Sequence, residues 1–294
     1  MTRWLVTGAA GMLGRDLVDL LAATAGETGT VTGLDRSGLD ITDYEAALAA
    51  VRDHDIVVNT AAWTDVDGSE TQEEASTAVN GTAVAGLARA CRETGALLLH
   101  VSTDYVLTGD ATQPYAETAP TGPLNAYGRG KLVGEQAVLA TLPSTGYVVR
   151  TTWLYGRHGR NFVSTILDLA KTRETLNVVN DQTGQPTWTR ALAAQLAELG
   201  RAAGRGWAPA GIYHGTASGQ TTWFTLAQEA FRLAGLDPAR IRPVSTDQFP
   251  RPARRPSYSV LGHDRWRLAG VAVQPGWDVQ LKEAFAAGVF PCGG

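Results

Sequence analysis

Cysteine is almost missing from this chain. Cys91 and Cys292 are the only two among 294 residues, and their separation fits neither a metal-ligand pair nor a redox pair. A disulfide scaffold is therefore excluded; Cys91 is expected as a small buried hydrophobe on a helix, and Cys292 in a frayed tail. Positive charge is not in excess either. The formal net charge is −4 and the pI about 5.8, which argues against a general nucleic-acid binder. No uninterrupted apolar run approaches the roughly 20 residues that a bilayer crossing needs. The first residues read directly into a strand, with no charged leader, long apolar core or cleavage site. The expectation is a cytoplasmic protein with no membrane or nucleic-acid partner. Asn80-Gly81-Thr82 matches a glycosylation acceptor, read as a chance match without a secretion signal. No repeat occurs at a solenoid or propeller period.

What is present is an ordinary globular balance, 44% hydrophobic and 18% charged, enough to bury a sizeable core. The first half alternates short apolar strands with amphipathic helices, the pattern of a parallel sheet covered on both faces. Strands are expected at Trp4–Thr7, Thr30–Leu34, Ile56–Asn59, Leu97–Ser102 and Tyr147–Arg150. Helices are expected at Met12–Ala25, Tyr44–Arg52, Glu73–Thr94 and Tyr127–Leu142, with Gly95 stopping the third in a left-handed conformation. After Arg150 the alternation stops. Helices near Asn161–Lys171, Trp188–Ala203, Thr225–Ala234 and Val279–Ala287 are separated by turn-rich stretches, including Asn180–Pro186 and the arginine- and proline-rich Pro250–Pro256. The fold class expected is α/β: a doubly wound, Rossmann-type parallel sheet over 1–150, then a smaller substrate-binding lobe over 151–294, part of which returns to the sheet domain.

Glycines at 8, 11 and 14 follow the first strand and open a helix. Backbone that must turn sharply and approach a pyrophosphate needs such positions free of Cβ, and the helix start then offers unpaired N–H groups and a positive dipole end. Asp35 ends the second strand, where a carboxylate suits a ribose 2′-hydroxyl, while the adjacent Arg36 suits a 2′-phosphate. With both present, a dual or NADPH-leaning preference is expected. Asp40 and Ile41 lie where an adenine edge and face could be met.

Tyr127 and Lys131 are one helical turn apart and share a face. A phenol is a poor acid–base near neutrality, and a neighbouring ammonium is expected to stabilise its anion and bring its pKa toward the working range. Thr103 and Asp104 sit at the carboxyl end of the fourth strand, where open parallel sheets bind ligands. Thr103 can donate to a carbonyl oxygen that gains charge as hydride adds. The competing reading is that Thr103-Asp104 merely starts a capped turn. Farther on, Trp153, Asn161 and Phe162 follow the last core strand and could line a sugar or diphosphate, or simply pack the core. Arg254 and Arg255 could hold a diphosphate, or form a solvated basic loop.

At these residues the chain resembles the extended short-chain dehydrogenase/reductase family, and within it the dTDP-4-dehydrorhamnose reductases. The resemblance covers nearly the whole chain. It rests on the glycine loop, Asn59–Asp67, Ser102-Thr103-Asp104-Tyr105-Val106, Pro123–Gly128, Lys131, Asn180-Asp181-Gln182 and Pro252–Pro256. It implies reduction of the C4 ketone of dTDP-4-dehydro-β-L-rhamnose with NADPH, or with NADH, and a dTDP-linked 4-keto-6-deoxysugar as the small-molecule partner. Carried over, Thr103, Asp104, Tyr127 and Lys131 are catalytic, with Tyr127 giving the proton. Gly8, Gly11, Met12, Leu13, Asp35, Arg36, Asp40, Ile41, Ala61 and Ala62 match cofactor positions, and Thr64 and Val66 match positions near the sugar. Leu107 stands where the family run continues with phenylalanine, a change of packing rather than chemistry. Some family members hold magnesium between acidic residues at a dimer interface. Here Asp16 occupies one such place but Arg190 another, so magnesium is doubtful and a monomer or weak homodimer is expected. Two alternatives stay open: a ketoreductase for a different deoxysugar nucleotide of antibiotic assembly, and a non-catalytic dinucleotide-binding regulatory subunit.

Overall fold

The computed structural model describes residues 1–25 and 29–290; the expectation for Cys292 lies outside them. Six strands, β1 (Thr2–Thr7), β2 (Gly29–Leu34), β3 (Ile56–Asn59), β4 (Leu97–Thr103), β5 (Gly146–Thr151) and β6 (Gly211–His214), form one sheet in the order β6–β5–β4–β3–β1–β2. Every pairing is parallel. Their central runs, Leu5-Val6, Val57-Val58, Leu98-Leu99 and Val148-Val149, are buried, as a sheet covered on both faces requires.

The longer helices are α1 (Met12–Ala25), α2 (Tyr44–Val51), α3 (73–94), α4 (Ala126–Thr141), α5 (Phe162–Ala170), α6 (Thr189–Gly204), α7 (Trp223–Leu233) and α8 (Trp277–Ala286). Leu17 and Leu21 of α1 meet Leu192 and Leu196 of α6 on one face of the sheet. Ala47, Leu87, Cys91 and Val138, from α2, α3 and α4, cover the other. The strand order reverses between β1 and β3, and the crevice above that reversal is where such sheets take ligands. Gly95 ends α3 at φ +80°, the conformation expected of it.

Two departures from the sequence expectation concern the site. The first is that α3 is not a uniform α-helix: Ala78–Thr82 forms a π-helical turn. There the Asn80 carboxamide accepts from Trp63 N–H and donates to Trp63 C=O, both at 3.0 Å. With its amide fully buried and engaged, Asn80 offers nothing to a glycosyltransferase in the folded protein. The second is the set of strands after residue 150, which the pattern did not reveal. β6 is four residues long, and the pair Leu176–Val179 with Ile241–Val244 contains Pro243, a residue that argues against a strand. That pair and α5, α7 and α8 enclose a separate core, with Val163, Ile166, Leu226, Phe231, Leu281 and Phe285 at its centre. Among the described residues no helix is long and apolar enough to cross a membrane.

Candidate active site

A cleft of about 880 Å³ opens above the reversal of strand order. One end is built by the glycine turn. Gly8 has φ +72°, and a Cβ there would lie 2.6 Å from Ala61 N, so neither conformation nor space admits a side chain. At Gly14 a Cβ would overlap the Gly8 carbonyl oxygen. The Gly11 N–H donates to Gly8 C=O at 2.9 Å, and α1 starts at Met12 with no acidic residue in its first turn. Backbone free of Cβ, leading into an uncompensated helix start, suits a dinucleotide diphosphate.

The wall carries Gly8, Gly11, Met12, Leu13, Asp35, Arg36, Asp40 and Ile41, then Ala61, Ala62, Thr64 and Val66. Thr103, Asp104, Tyr127, Lys131 and Trp153 complete it at the other end. Asp35 Oδ1 accepts from Ser37 N–H (2.9 Å), Ser37 Oγ (2.6 Å) and Gly38 N–H (3.2 Å). These bonds, the serine hydroxyl's first, hold its pKa below the ordinary carboxylate value. Asp40 closes a similar turn on Thr42.

Thr103, the last residue of β4, donates to Asp104 Oδ1 at 3.0 Å and accepts from Tyr105 N–H at 3.2 Å. It therefore caps the 3₁₀ turn Asp104–Val106, as the capped-turn reading expects, and also lines the cleft. Burial pushes Asp104 up to about 6, against the pull of its hydrogen bond from the Thr103 hydroxyl. Asp104 Oδ2 and the hydroxyls of Ser102, Thr151 and Thr152 are buried on the cleft wall with no hydrogen-bond partner among the described residues. Unpaired buried polar atoms are costly, and a hydroxylated ligand would relieve them.

Asn125 caps α4 by accepting from Gly128 N–H at 2.8 Å. A Cβ on Gly128 would overlap Tyr105 C=O, so this glycine lets the helix start close against the 3₁₀ turn that follows β4, with Tyr127 on the cleft wall. The Tyr127 ring meets Tyr105 edge-on, centroids 5.8 Å apart. Burial first, then the charge of Asp104, raise the phenol's pKa, with Thr103 opposing. Lys131 is 2% exposed; its Nζ donates to Val101 C=O at 2.7 Å and lies 3.3 Å from His100 Nε2. Burial brings its pKa down to about 8, with Glu135 pulling the other way. This corrects the sequence expectation. The lysine spends its bonds on β4, and the phenol stays above its ordinary value.

Four expected ligand residues, Asn161, Phe162, Arg254 and Arg255, are not on the cleft wall. Asn161 caps α5 in a reciprocal capping box with Ser164 and donates to Gly156 C=O. Phe162 packs on Trp223, centroids 4.6 Å apart. Arg255 pairs with Asp67 at 3.1 Å, its guanidinium 5.9 Å from the ring of Tyr105, so it stands behind a wall residue. Asp16 accepts from Thr189 Oγ1 and faces His158 at 3.8 Å. Leu107 is buried with Val106, Tyr115 and Leu261.

Sequence reasoning missed Trp223, Asn59 and His100. Trp223 lines the cleft and stacks on Trp153 at 3.5 Å, the planes 12° apart; Trp153 itself has φ +49°. Asn59 and His100 are fully buried beneath the cleft. Their signal was a polar residue inside or ending an otherwise apolar strand, Ile56-Val57-Val58-Asn59 and Leu97-Leu98-Leu99-His100.

Residues 2–289 match the family model described as RmlD substrate binding domain. A dTDP-4-dehydrorhamnose reductase of Streptomyces griseus is 53% identical over 287 residues, covering 97% of this chain and 93% of that protein. A dTDP-4-keto-6-deoxy-D-glucose reductase of Streptomyces niveus is 50% identical over 285 residues, covering 96% of each. Among solved structures, a dTDP-4-dehydrorhamnose reductase of Bacillus anthracis in complex with NADP superposes with a TM-score of 0.91 at 34% identity, over 98% of this chain and 100% of that one.

Proposed function

The chain belongs to the RmlD substrate binding domain family, and from that premise we propose that it reduces the C4 ketone of dTDP-4-dehydro-β-L-rhamnose to dTDP-β-L-rhamnose with a nicotinamide cofactor. One observation carries this: the glycine turn and Thr103, Asp104, Tyr127 and Lys131 line the same cleft. The bound cofactor supplies the hydride. The chain's part is to hold it, orient the ketone and deliver a proton. Tyr127, kept protonated by burial and by Asp104, is a proton donor for the oxygen at C4. Thr103, whose hydroxyl hydrogen points at Asp104 Oδ1, turns it to that oxygen as charge develops. Trp153, stacked on Trp223, gives the sugar ring an apolar wall, and Arg255, paired with Asp67, supports Tyr105.

NADPH is the preferred donor in this proposal. Asp35 turns its carboxylate into its own loop, while Arg36 lines the cleft and is free to meet a 2′-phosphate. Such a biosynthetic activity belongs in the cytoplasm. The test is NADPH oxidation with the 4-keto sugar nucleotide, for the wild type and Tyr127→Phe. Turnover by the wild type and its near-loss in the variant are expected; no oxidation by the wild type would overturn the assignment. The Streptomyces niveus relative favours a second possibility, a different dTDP-linked 4-keto-6-deoxysugar. Product identification by NMR separates the two.

A further inference from the structure

Beneath the cleft a buried line of polar groups runs from the glycine turn to the catalytic lysine, and its hydrogen-bond polarity is set from one end. The backbone N–H of Ala61 can only donate, and it donates to Asn59 Oδ1 at 3.1 Å. Thr7 Oγ1 donates to the same oxygen at 2.7 Å. That orientation turns Asn59 Nδ2 toward His100 Nδ1, 3.0 Å away, so Nδ1 must accept. His100 is fully enclosed, and burial, helped by the charge of Lys131, disfavours its imidazolium. A neutral ring that accepts at Nδ1 carries its proton on Nε2. That N–H faces Lys131 Nζ at 3.3 Å. Against an ammonium the contact sets donor against donor; against the neutral amine it is a hydrogen bond to the lone pair. The bond from Nζ to Val101 C=O uses a hydrogen that both forms possess.

We propose that Asn59 and His100 are positioning residues that lock the imidazole as its Nε2–H tautomer against Lys131, so that the lysine works as a proton carrier in the reduction rather than as a permanent cation. The proposal rests on the reductase activity above. Tyr127 gives its phenolic proton to the oxygen at C4 as the carbonyl carbon receives hydride, leaving a phenolate. The Lys131 ammonium gives one proton to the phenolate, restoring the phenol, and becomes an amine whose lone pair accepts the His100 N–H. A proton from water in the cleft returns the ammonium. The ionisable groups around Lys131 fit this use. Glu135, one turn later on α4, favours the ammonium, but its charge is matched by Arg150 of β5 in a buried pair. Tyr127, one turn earlier, and Asp104, just beyond β4, face the same cleft. Gly134 lets α4 lie close against the π-helical turn, because a Cβ there would overlap Asn80 C=O.

The first test needs no turnover. With NADP bound, ¹⁵N-histidine NMR should show one of the five histidines as a neutral Nε2–H ring between pH 6 and 9, its signal lost in His100→Gln. An Nδ1–H tautomer or an imidazolium at His100 overturns the proposal. The second test is the pH profile of kcat/KM, whose descending limb should lie near the lysine's pKa of about 8. Asn59→Asp presents a carboxylate to Nδ1, which moves the imidazole proton to Nδ1 and leaves Nε2 to accept from the ammonium. The limb should then move up by about one pH unit, and His100→Leu, which deletes the opposed N–H, should move it the same way. A purely structural contribution would lower kcat and leave the limb in place, and that result also overturns the proposal. Should neither variant fold, the NMR of the wild type decides. If the wild type oxidises no NADPH on any nucleotide-linked 4-keto sugar, the reductase assignment fails while the tautomer result still stands or falls separately.

Discussion

Glu135→Gln probes the ground on which the cleft lysine, Lys131, stands. Arg150 Nε and Nη2 donate to the two Glu135 oxygens at 2.9 and 2.7 Å, with the side chains 1% and 2% exposed. Arg150 Nη1 has no partner among the described residues, so the glutamate carries the whole compensation of this buried cation. Removing one partner of such a pair costs about 3–5 kcal/mol, because the other charge is left in a poorly solvating interior. At about 2 °C per kcal/mol for a chain of this length, the melting temperature should fall by about 6–10 °C in calorimetry. The double variant Glu135→Leu/Arg150→Met should recover most of the loss, since an apolar replacement of both partners avoids desolvating either charge. Glu135 also raises the Lys131 pKa from one turn away. Its neutralisation should therefore lower that pKa from about 8 and carry the descending limb of kcat/KM to lower pH, opposite to Asn59→Asp. A variant that melts within about 1 °C of the wild type, with an unmoved limb, would refute both the energetic and the electrostatic reasoning.

Tyr127→Phe should lower kcat by about 10²–10⁴-fold, the usual worth of a positioned proton donor, with NADPH affinity by fluorescence titration unchanged. Asp104 has a folded pKa of about 6 against an ordinary 3.8, so folding favours its neutral form; that contribution is complete below pH 3.8 and is lost as pH rises through 6. Asp104→Asn should thus gain up to about 3 kcal/mol at pH 7.5 and little at pH 4 in urea unfolding, while turnover drops; equal stability at both pH values would contradict the buried-carboxylate account. Gly8→Ala forces a side chain to φ +72° against Ala61, which costs about 1–2 kcal/mol in backbone conformation alone, and calorimetric titration should show NADPH binding at least tenfold weaker. Trp223→Ala removes the stack that holds Trp153; KM for the sugar nucleotide should rise more than kcat falls, and an unchanged KM would mean that Trp153 stands unaided.

Legibility in the sequence followed the range of the interactions concerned. The strands and helices of the first 150 residues follow from apolar runs and helical spacing, each satisfied within a few residues of chain, and the structure places them within a residue or two, the π-helical turn around Asn80 excepted. β6 and the short strand pairs of the lobe were not legible. Four residues such as Gly211-Ile212-Tyr213-His214 show no period of their own, and they are strands because β5 offers an open edge. Asn161 and Phe162 read as ligand-lining or core-packing from their place after the last core strand, and the structure has one capping a helix and the other packing on Trp223.

Two features of the site were settled by local chemistry: a turn that only glycine can make before α1, and a phenol and an ammonium on one helical face. What the lysine does there was decided by the tertiary fold. Its partners Val101, His100 and, behind them, Asn59 come from strands far away in the chain. Only when β3, β4 and α4 close on one another does the fixed direction of the Ala61 N–H pass through a carboxamide and an imidazole to the amine. Hydrogen-bond direction at a buried group is imposed by whichever neighbours are brought against it, and residue type alone leaves it open.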